Sequence, residues 1–326
     1  MRIAIIGLGS MGKRRIRNLT QIGGCKIEGF DIREDRITEN SSLGHTAHLL
    51  TANQTFDGFD AVIVSTPPDQ HLKYLAAAVS ARCPVFVEAS VILTGLPEVA
   101  SEAERLGVTV CPSCTMRFHP AIIEIKNIVD STKLGLPTNF VYHSGQYLPD
   151  WHPWEDLRDY YVSNRATGAA REIVPFELTW LTDIFGQISE SCCTYGRTLD
   201  LGVDIDDTYA FSARFGGQTI GSVTVDVTSR VATRRLTLNL ERGQLVWDWN
   251  EGSIRMEAVE ACRSEKITFS LGDAAPGYNR NIVESMYVDE MKAFLSAVRG
   301  EGLFPNTLRD DIEILLTLLK LEGKEI

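Results

Sequence analysis

Gly7-Leu8-Gly9-Ser10-Met11-Gly12 carries three glycines at the spacing of a dinucleotide-binding turn. Each glycine has its own task there: Gly7 permits the tight reversal, Gly9 lets backbone approach a pyrophosphate, and Gly12 lets the next helix pack closely. The N–H groups and positive dipole end of that helix would face the phosphates. Asp31 follows about 20 residues after Gly12, the separation at which a carboxylate accepts from the adenosine 2′-hydroxyl. An acid there repels a 2′-phosphate, so the expected cofactor is NAD, with NADP disfavoured. Arg33 and Arg36, close behind, blur that choice.

A second concentration of chemistry is Trp151-His152-Pro153-Trp154-Glu155-Asp156-Leu157-Arg158-Asp159-Tyr160-Tyr161, which leads into a helix bearing Arg171 and Glu172. Indole faces stack on sugar rings, and the planar guanidinium fork suits carboxylate or phosphate. His152, Tyr160, Tyr161 and Glu172 are therefore candidates for proton transfer, and Trp151, Trp154, Arg158 and Arg171 for substrate contact. The structural alternative is indoles packed on a sheet or a neighbouring subunit, with the polar groups hydrogen-bonded in place. His119, before Pro120, reads as a residue fixing a helix start. His45 and His48 have no metal-ligand partner nearby. Cys111-Pro-Ser-Cys114 has CxxC spacing, but no second pair or histidine cluster completes a zinc site, so no metal is assigned.

These groups need a scaffold, and the first third of the chain supplies a regular one. Apolar strands at the N-terminus, Lys26 to Phe30, Asp60 to Ser65, Pro84 to Glu88 and Val108 to Cys111 alternate with helical patterns from Met11 to Ile22, Asp69 to Ser80 and Leu96 to Leu106. The pattern, five such runs of an expected six strands, implies a doubly wound parallel sheet, an α/β Rossmann domain over residues 1–118. Residues 119–326 read as an α+β domain for substrate binding and oligomerisation. It has helices from Pro120 to Asp130 and from Arg171 to Phe185. Alternating strands run Thr138 to Gln146, Thr208 to Phe215, Thr219 to Val227, Arg234 to Leu240, Gly243 to Trp249 and Ser253 to Ala258. Consecutive alternating strands imply an open, mainly antiparallel sheet. Two closing amphipathic helices, about 284–321, are expected to pack back toward the first domain.

Composition excludes several partners. The 326 residues are 44% hydrophobic and 23% charged, with a net charge of −11. That balance argues against nucleic acid or an anionic membrane as partner. No apolar stretch reaches the ~20 residues of a membrane span. Seven cysteines form no evident disulfide framework; with no charged leader before an apolar segment, the expected setting is cytoplasmic.

Taken together, Gly7-Leu8-Gly9-Ser10-Met11-Gly12, Ser65-Thr66-Pro67-Pro68 with His71 behind it, Arg117-Phe118-His119-Pro120 and the helical pair around Phe304-Pro305-Asn306 resemble the Gfo/Idh/MocA oxidoreductases. That is the family of glucose-fructose oxidoreductase and inositol dehydrogenase. The resemblance covers the whole chain. It implies hydride transfer between a nicotinamide and a sugar, cyclitol or nucleotide-sugar carbon, in homodimers or homotetramers formed through the C-terminal sheet. It places Ser65, Thr66, Pro67, Pro68 and Glu88 on the nicotinamide side, with His71 as the architectural partner of that loop, and adds Arg117 to the substrate side. The family's Glu-Lys-Pro segment is here Glu88-Ala89-Ser90. Its aspartate and, four residues on, histidine are Glu172 and Phe176, aligned through Phe185-Gly186. Alanine and phenylalanine exchange no protons, yet hydride transfer at a C–OH needs a group to take the hydroxyl proton. Three readings follow: an oxidoreductase with relocated proton transfer, an NAD-binding regulator or scaffold without catalysis, or an enzyme whose tightly held NAD is reduced and reoxidised within one turnover.

Overall fold

The computed structural model describes residues 1–51, 54–151, 153, 155–259, 262–269 and 283–324. It divides into two compact units, one of Met1–Thr115 with Tyr287–Leu315, the other of Met116–Met286 with Leu316–Ile326.

The first unit is built on a parallel six-stranded sheet of β1 (Arg2–Ile6), β2 (Lys26–Asp31), β3 (Thr46–Leu49), β4 (Ala61–Val64), β5 (Val85–Val87) and β6 (Val110–Pro112), in the order β3-β2-β1-β4-β5-β6. Ala61-Val62-Ile63-Val64 and Val85-Phe86-Val87 are wholly buried, as continuous apolar runs must be in a sheet covered on both faces. Helices α1 (Ser10–Ile22), α2 (Glu34–Ser42), α3 (His71–Ser80) and α4 (Leu96–Leu106) connect the strands. Edge strand β3 is mostly exposed, so no apolar run announces it. The C-terminal helices α7 (Glu284–Val298) and α8 (Leu308–Leu321) contribute to the same unit between Tyr287 and Leu315. There Phe294 and Phe304 pack on Phe86 with centroids 5.6 and 6.1 Å away, and the Asn306 amide donates to the Pro112 carbonyl at 3.2 Å.

The second unit contains α5 (Pro120–Asp130), α6 (Ala170–Phe185) and an eight-stranded sheet. Its strands are β7 (Pro137–Tyr147), β8 (Ile188–Gly196), β9 (Thr208–Phe215), β10 (Thr219–Asp226), β11 (Thr228–Leu240), β12 (Gly243–Asp248), β13 (Ser253–Ala258) and β14 (Arg263–Thr268). Their order is β14-β13-β12-β11-β7-β10-β9-β8, antiparallel throughout except for the β7–β10 pair. Alternation sets the faces: Tyr209, Phe211, Ala213 and Phe215 of β9 are buried, and the residues between them are more open. α6 covers the buried face, where Phe185 stacks on Phe140 at 4.5 Å and Trp180 meets Tyr142 edge-on at 5.1 Å. Edge strands β8 and β14 show little burial on either face, which is why alternation does not reveal them.

Candidate functional site

In the first unit the glycine turn is sterically obligatory. Gly7 sits at φ +91°, and a Cβ there would lie 2.5 Å from the Ser65 carbonyl oxygen; a Cβ on Gly12 would overlap the Gly7 carbonyl oxygen. The turn is tied to β2 by Asp31, whose Oδ2 accepts the Leu8 N–H at 2.7 Å and whose Oδ1 accepts the Arg33 N–H at 2.9 Å. α1 begins at Ser10 with no side-chain cap and no acid in its first turn, so the helix itself places no negative charge at its positive end. These residues fit a dinucleotide pyrophosphate and its ribose. The side chain of Arg33 turns instead to Asp35, at 2.6 and 3.1 Å. The guanidinium beside the turn is that of Arg36, 3.5 Å from Asp31 Oδ2 and 3.3 Å from where a Gly9 Cβ would stand.

The carboxyl ends of β4 and β5, where open α/β sheets hold ligands, carry Ser65-Thr66-Pro67-Pro68 and Glu88. His71 is buried, and its Nε2 bonds the Thr66 carbonyl at 2.9 Å. Burial lowers its pKa; as a neutral ring it donates to that carbonyl and fixes the loop. Glu88 receives a two-pronged grip from Arg15 at 2.7 and 2.8 Å and a bond from Ser65 Oγ at 3.2 Å. Arg15 is fully buried and also holds Glu290 at 2.9 Å. Glu290 in turn accepts from Ser113 Oγ, the Cys114 N–H and Thr115 Oγ1 at 2.7–3.0 Å. One arginine therefore joins α1 to α7 and, through Glu88, to two strand ends. Sequence reading placed Glu88 but missed Arg15 and Glu290, because buried charges on two helices resemble ordinary surface charges.

In the second unit the stretch before α6 folds as short helical turns, Leu157–Asp159 and Tyr161–Ser163. The tight passage into α6 requires Gly168, whose Cβ would strike the Val162 carbonyl, and Thr167 Oγ1 donates to the Tyr161 carbonyl at 3.0 Å. Together these bring the Tyr161 hydroxyl to Glu172 Oε1 at 3.0 Å. Tyr160 packs edge-on to Tyr161 with centroids 5.9 Å apart. Burial, with the charges of Glu155 and Glu172, pushes its phenol up to about 12. Trp151 is partly buried, while His152 and Trp154 lie outside the described residues.

The three arginines assigned to substrate are engaged by the protein itself. Arg171 is buried, grips Glu322 at 2.6 and 3.1 Å and donates to the Ala166 carbonyl at 2.6 Å. Arg117 donates to the Thr179 carbonyl at 3.0 Å and lies 3.6 Å from Asp183. Arg158 closes on Asp156 two residues away, at 2.6 and 3.0 Å, on the exposed surface. Each guanidinium is thus already engaged by the chain: a buried charge keeps its partner, and neighbouring charges pair locally.

His119 caps α5: its Nδ1 accepts the Ala121 N–H at 3.1 Å. Burial, helped by the charge of Arg234, lowers its pKa to about 3. Beside it lies a cluster the sequence did not disclose. Glu177, buried on α6, accepts from Tyr142 Oη (2.7 Å), Ser144 Oγ (2.9 Å), Trp180 Nε1 (2.8 Å) and Arg234 Nε (2.8 Å). The Arg234 guanidinium lies 4.5 Å over the Trp249 ring and 5.8 Å from that of Phe176. No group of three or more potential metal ligands occurs among the described residues, and His48 packs tilted against Phe30 with ring centroids 5.3 Å apart. Cys111 and Cys114 are buried thiols.

Comparison with known proteins agrees with this architecture. Residues 1–112 match the oxidoreductase family with an NAD-binding Rossmann fold, and residues 122–246 match the GFO/IDH/MocA C-terminal domain. The chain belongs to the Gfo/Idh/MocA oxidoreductase family. An inositol 2-dehydrogenase of Mycolicibacterium smegmatis is 30% identical over 146 residues, 42% of either chain. An inositol 2-dehydrogenase 2 of Saccharopolyspora erythraea is 28% identical over 163 residues, 46% of this chain and 47% of that one. The chain thus spans less than half the length of these curated relatives. Among solved structures, an Agrobacterium radiobacter oxidoreductase in complex with NAD+, L-tartaric acid and magnesium superposes with a TM-score of 0.86 at 13% identity, covering 99% of this chain and 95% of that one. A myo-inositol dehydrogenase of Corynebacterium glutamicum gives 0.77 at 15% identity, with coverage of 99% and 96%.

Ala89 follows Glu88, whose carboxylate pairs with Arg15. Phe176 is one helical turn beyond Glu172, so the two share a face of α6, and Arg234 stands beside its ring. Among the described residues no helix is long and apolar enough to cross a membrane.

Proposed function

We propose that this protein is an NAD-dependent oxidoreductase acting at a CH–OH carbon of a carbohydrate-like compound, a sugar, cyclitol or nucleotide sugar. The observation carrying this reading is the 3.0 Å bond between Tyr161 Oη and Glu172 Oε1. It sets a carboxylate and a phenol where the family resemblance expects an acid. Gly7, Leu8, Gly9, Ser10, Met11, Gly12 and Asp31 would hold the dinucleotide, and Ser65 to Pro68, braced by His71, would bound its nicotinamide end. Bound NAD supplies the hydride acceptor. Glu172 accepts the proton of the substrate hydroxyl, and Tyr161, donating to the same carboxylate, holds it in one orientation. Asp31 favours NAD, and Arg36 beside it leaves room for weaker use of NADP.

The test is a screen of sugars, cyclitols and nucleotide sugars followed at the reduced-nicotinamide absorbance band. Glu172→Gln should lower kcat ~10²–10⁴-fold, the usual worth of general acid–base catalysis, and leave NAD affinity alone. Tyr161→Phe, which keeps the carboxylate, should cost less. Ala89→Lys should not raise activity. Silence across the panel with NAD demonstrably bound would favour the regulator reading, and near-normal turnover in Glu172→Gln would remove the proposed base.

Self-association through the C-terminal sheet accords with Val141 and Ile220, large apolar residues left exposed on β7 and β10; light scattering with Val141→Asp tests it. A cytoplasmic setting accords with seven cysteines in no disulfide.

A further inference from the structure

We infer that the cavity behind the Thr66-Pro67-Pro68 loop binds ordered water that joins Ser90 Oγ to His71 Nδ1, and that Ser90 thereby positions this loop. The inference deepens the reading of Ser65 to Pro68 as the nicotinamide end of the cofactor site, and rests on it for its effect on NAD.

The cavity lies within the first unit and measures about 130 Å³. Pro68, His71 and Leu72 line it from the start of α3, and Ser90, Ile92 and Thr94 from the segment after β5. Beside it the two sides already touch. Leu72 Cδ2 stands 2.5 Å from where a Gly95 Cβ would lie, and Gly95 sits at φ +82°. A simple approach of α3 therefore does not close the space.

Two of the lining residues carry a buried polar atom to which the chain gives no partner, Ser90 Oγ and His71 Nδ1. Ser90 is 4% exposed and His71 3%. Chemistry fixes the tautomer of the histidine. Its Nε2 stands 2.9 Å from the Thr66 carbonyl, which only accepts, so Nε2 carries the proton. Burial lowers the pKa of the ring and keeps it neutral, which leaves a bare lone pair on Nδ1. Asp311 reaches Ser90 from α8, and the hydroxyl favours its ionised form. No well-formed hydrogen bond joins the two, however, and Asp311 Oδ2 is likewise without a partner.

These groups select the ligand. The lone pair of Nδ1 needs a donor, and the serine hydroxyl can give one bond and accept others. An anion has no proton for Nδ1, whereas water both donates and accepts. A cavity of this size with several polar partners is what buried water requires, and only an apolar one stays dry. Water donating to Nδ1 and bonded to Ser90 Oγ continues a chain that runs through Nε2–H to the Thr66 carbonyl. The segment after β5 is thereby tied to the loop.

The experiment combines a crystal structure of the full chain, fine enough to show water, with imidazole nitrogen NMR of His71 and calorimetric NAD titration. It compares wild type, Ser90→Ala and Ser90→Thr. Alanine removes the hydroxyl and leaves the room; threonine keeps the hydroxyl. Thermal unfolding of each variant reports separately on folding. Wild type should show a water within hydrogen-bond distance of both Ser90 Oγ and His71 Nδ1. Ser90→Ala should lose or displace that water, shift the Nδ1 resonance and weaken NAD ~2–10-fold, the range of one net hydrogen bond. Ser90→Thr should restore all three. A serine that merely packs would change the melting temperature and leave the Nδ1 resonance in place, which overturns the inference. So does a cavity without ordered water, a Ser90 hydroxyl bonded directly to Asp311, or equal NAD affinity in wild type and Ser90→Ala. If wild type binds no NAD, the cofactor reading fails, while the water and the Nδ1 resonance still decide this site.

Discussion

Arg15→Met removes a cation that is fully buried between two carboxylates. Methionine fills similar space without charge, so the cost is chiefly electrostatic. Arg15 makes three charge-assisted bonds, two to Glu88 and one to Glu290, at 2.7–2.9 Å. Removing one partner of a buried ion pair costs about 3–5 kcal/mol, because the remaining charge is left uncompensated. Domains are held by only ~5–15 kcal/mol. At roughly 2–4 °C per kcal/mol for a unit of this size, the midpoint should fall by about 6–20 °C. The pH dependence gives a sharper test. Burial already holds the Glu290 carboxyl above its ordinary value, against the pull of Arg15. Without Arg15 it rises further. A carboxyl raised in the folded state contributes stability below its ordinary pKa of about 4.3 and loses it as pH climbs through the folded value. The deficit of Arg15→Met should therefore be small near pH 5 and widen toward pH 8. The assay is urea unfolding of both proteins across that range, with NAD titration alongside. A deficit below about 1 kcal/mol, or one that shrinks as pH rises, refutes the assignment of this triad as a buried, mutually compensated network.

Three further outcomes follow from single contacts. Gly12→Ala places a methyl against the Gly7 carbonyl oxygen, so NAD binding should be lost in fluorescence titration even where the protein still folds. Asp31→Ala removes a buried acceptor of the Leu8 and Arg33 N–H groups and the counter-charge of Arg36; calorimetry should show NAD weakened ~10–100-fold, with the NAD/NADP ratio moving toward NADP. Asp311 is buried, and its carboxyl is pushed up to about 7 by desolvation. Its contribution is complete below the ordinary aspartate value and is lost as pH rises through about 7. Asp311→Asn should accordingly flatten the decline in melting temperature between pH 5 and pH 8 and leave the variant the more stable protein at pH 8.

Legibility followed the strength of local pattern. The parallel sheet could be read because its central strands are unbroken apolar runs, and β9 and β13 were read to the residue because one face is buried and one is open. β3, β8 and β14 escaped because edge strands with little burial carry no period. β11 begins at Thr228, six residues before the expected start, since its first half is exposed and shifts register between Thr228 and Thr233. The dinucleotide turn was legible because Gly7 and Gly12 answer backbone constraints. The aromatic and ionisable stretch before α6 was legible as a composition, but the Tyr161–Glu172 pairing depends on the turn through Gly168, which no spacing rule announces.

Arg158 and Arg171 drew notice as neighbours of aromatic and acidic residues in sequence, and Arg117 through the family resemblance; Arg158 pairs with Asp156 two residues away, whereas Arg117 meets Asp183 from a distant helix. Arg171 finds its carboxylate at Glu322, far along the chain. Arg234 lies in a strand whose polar residues look like a solvent face, yet its guanidinium sits over the Trp249 ring and bonds buried Glu177. Glu322 takes both prongs of Arg171, which leaves that guanidinium bound along its edge. Glu177 is met from three other directions and takes Arg234 through Nε. Buried arginines are thus paired from distant elements, Arg15 with Glu88 and Glu290, Arg171 with Glu322 and Arg234 with Glu177, and no local spacing in the sequence announces any of these pairs.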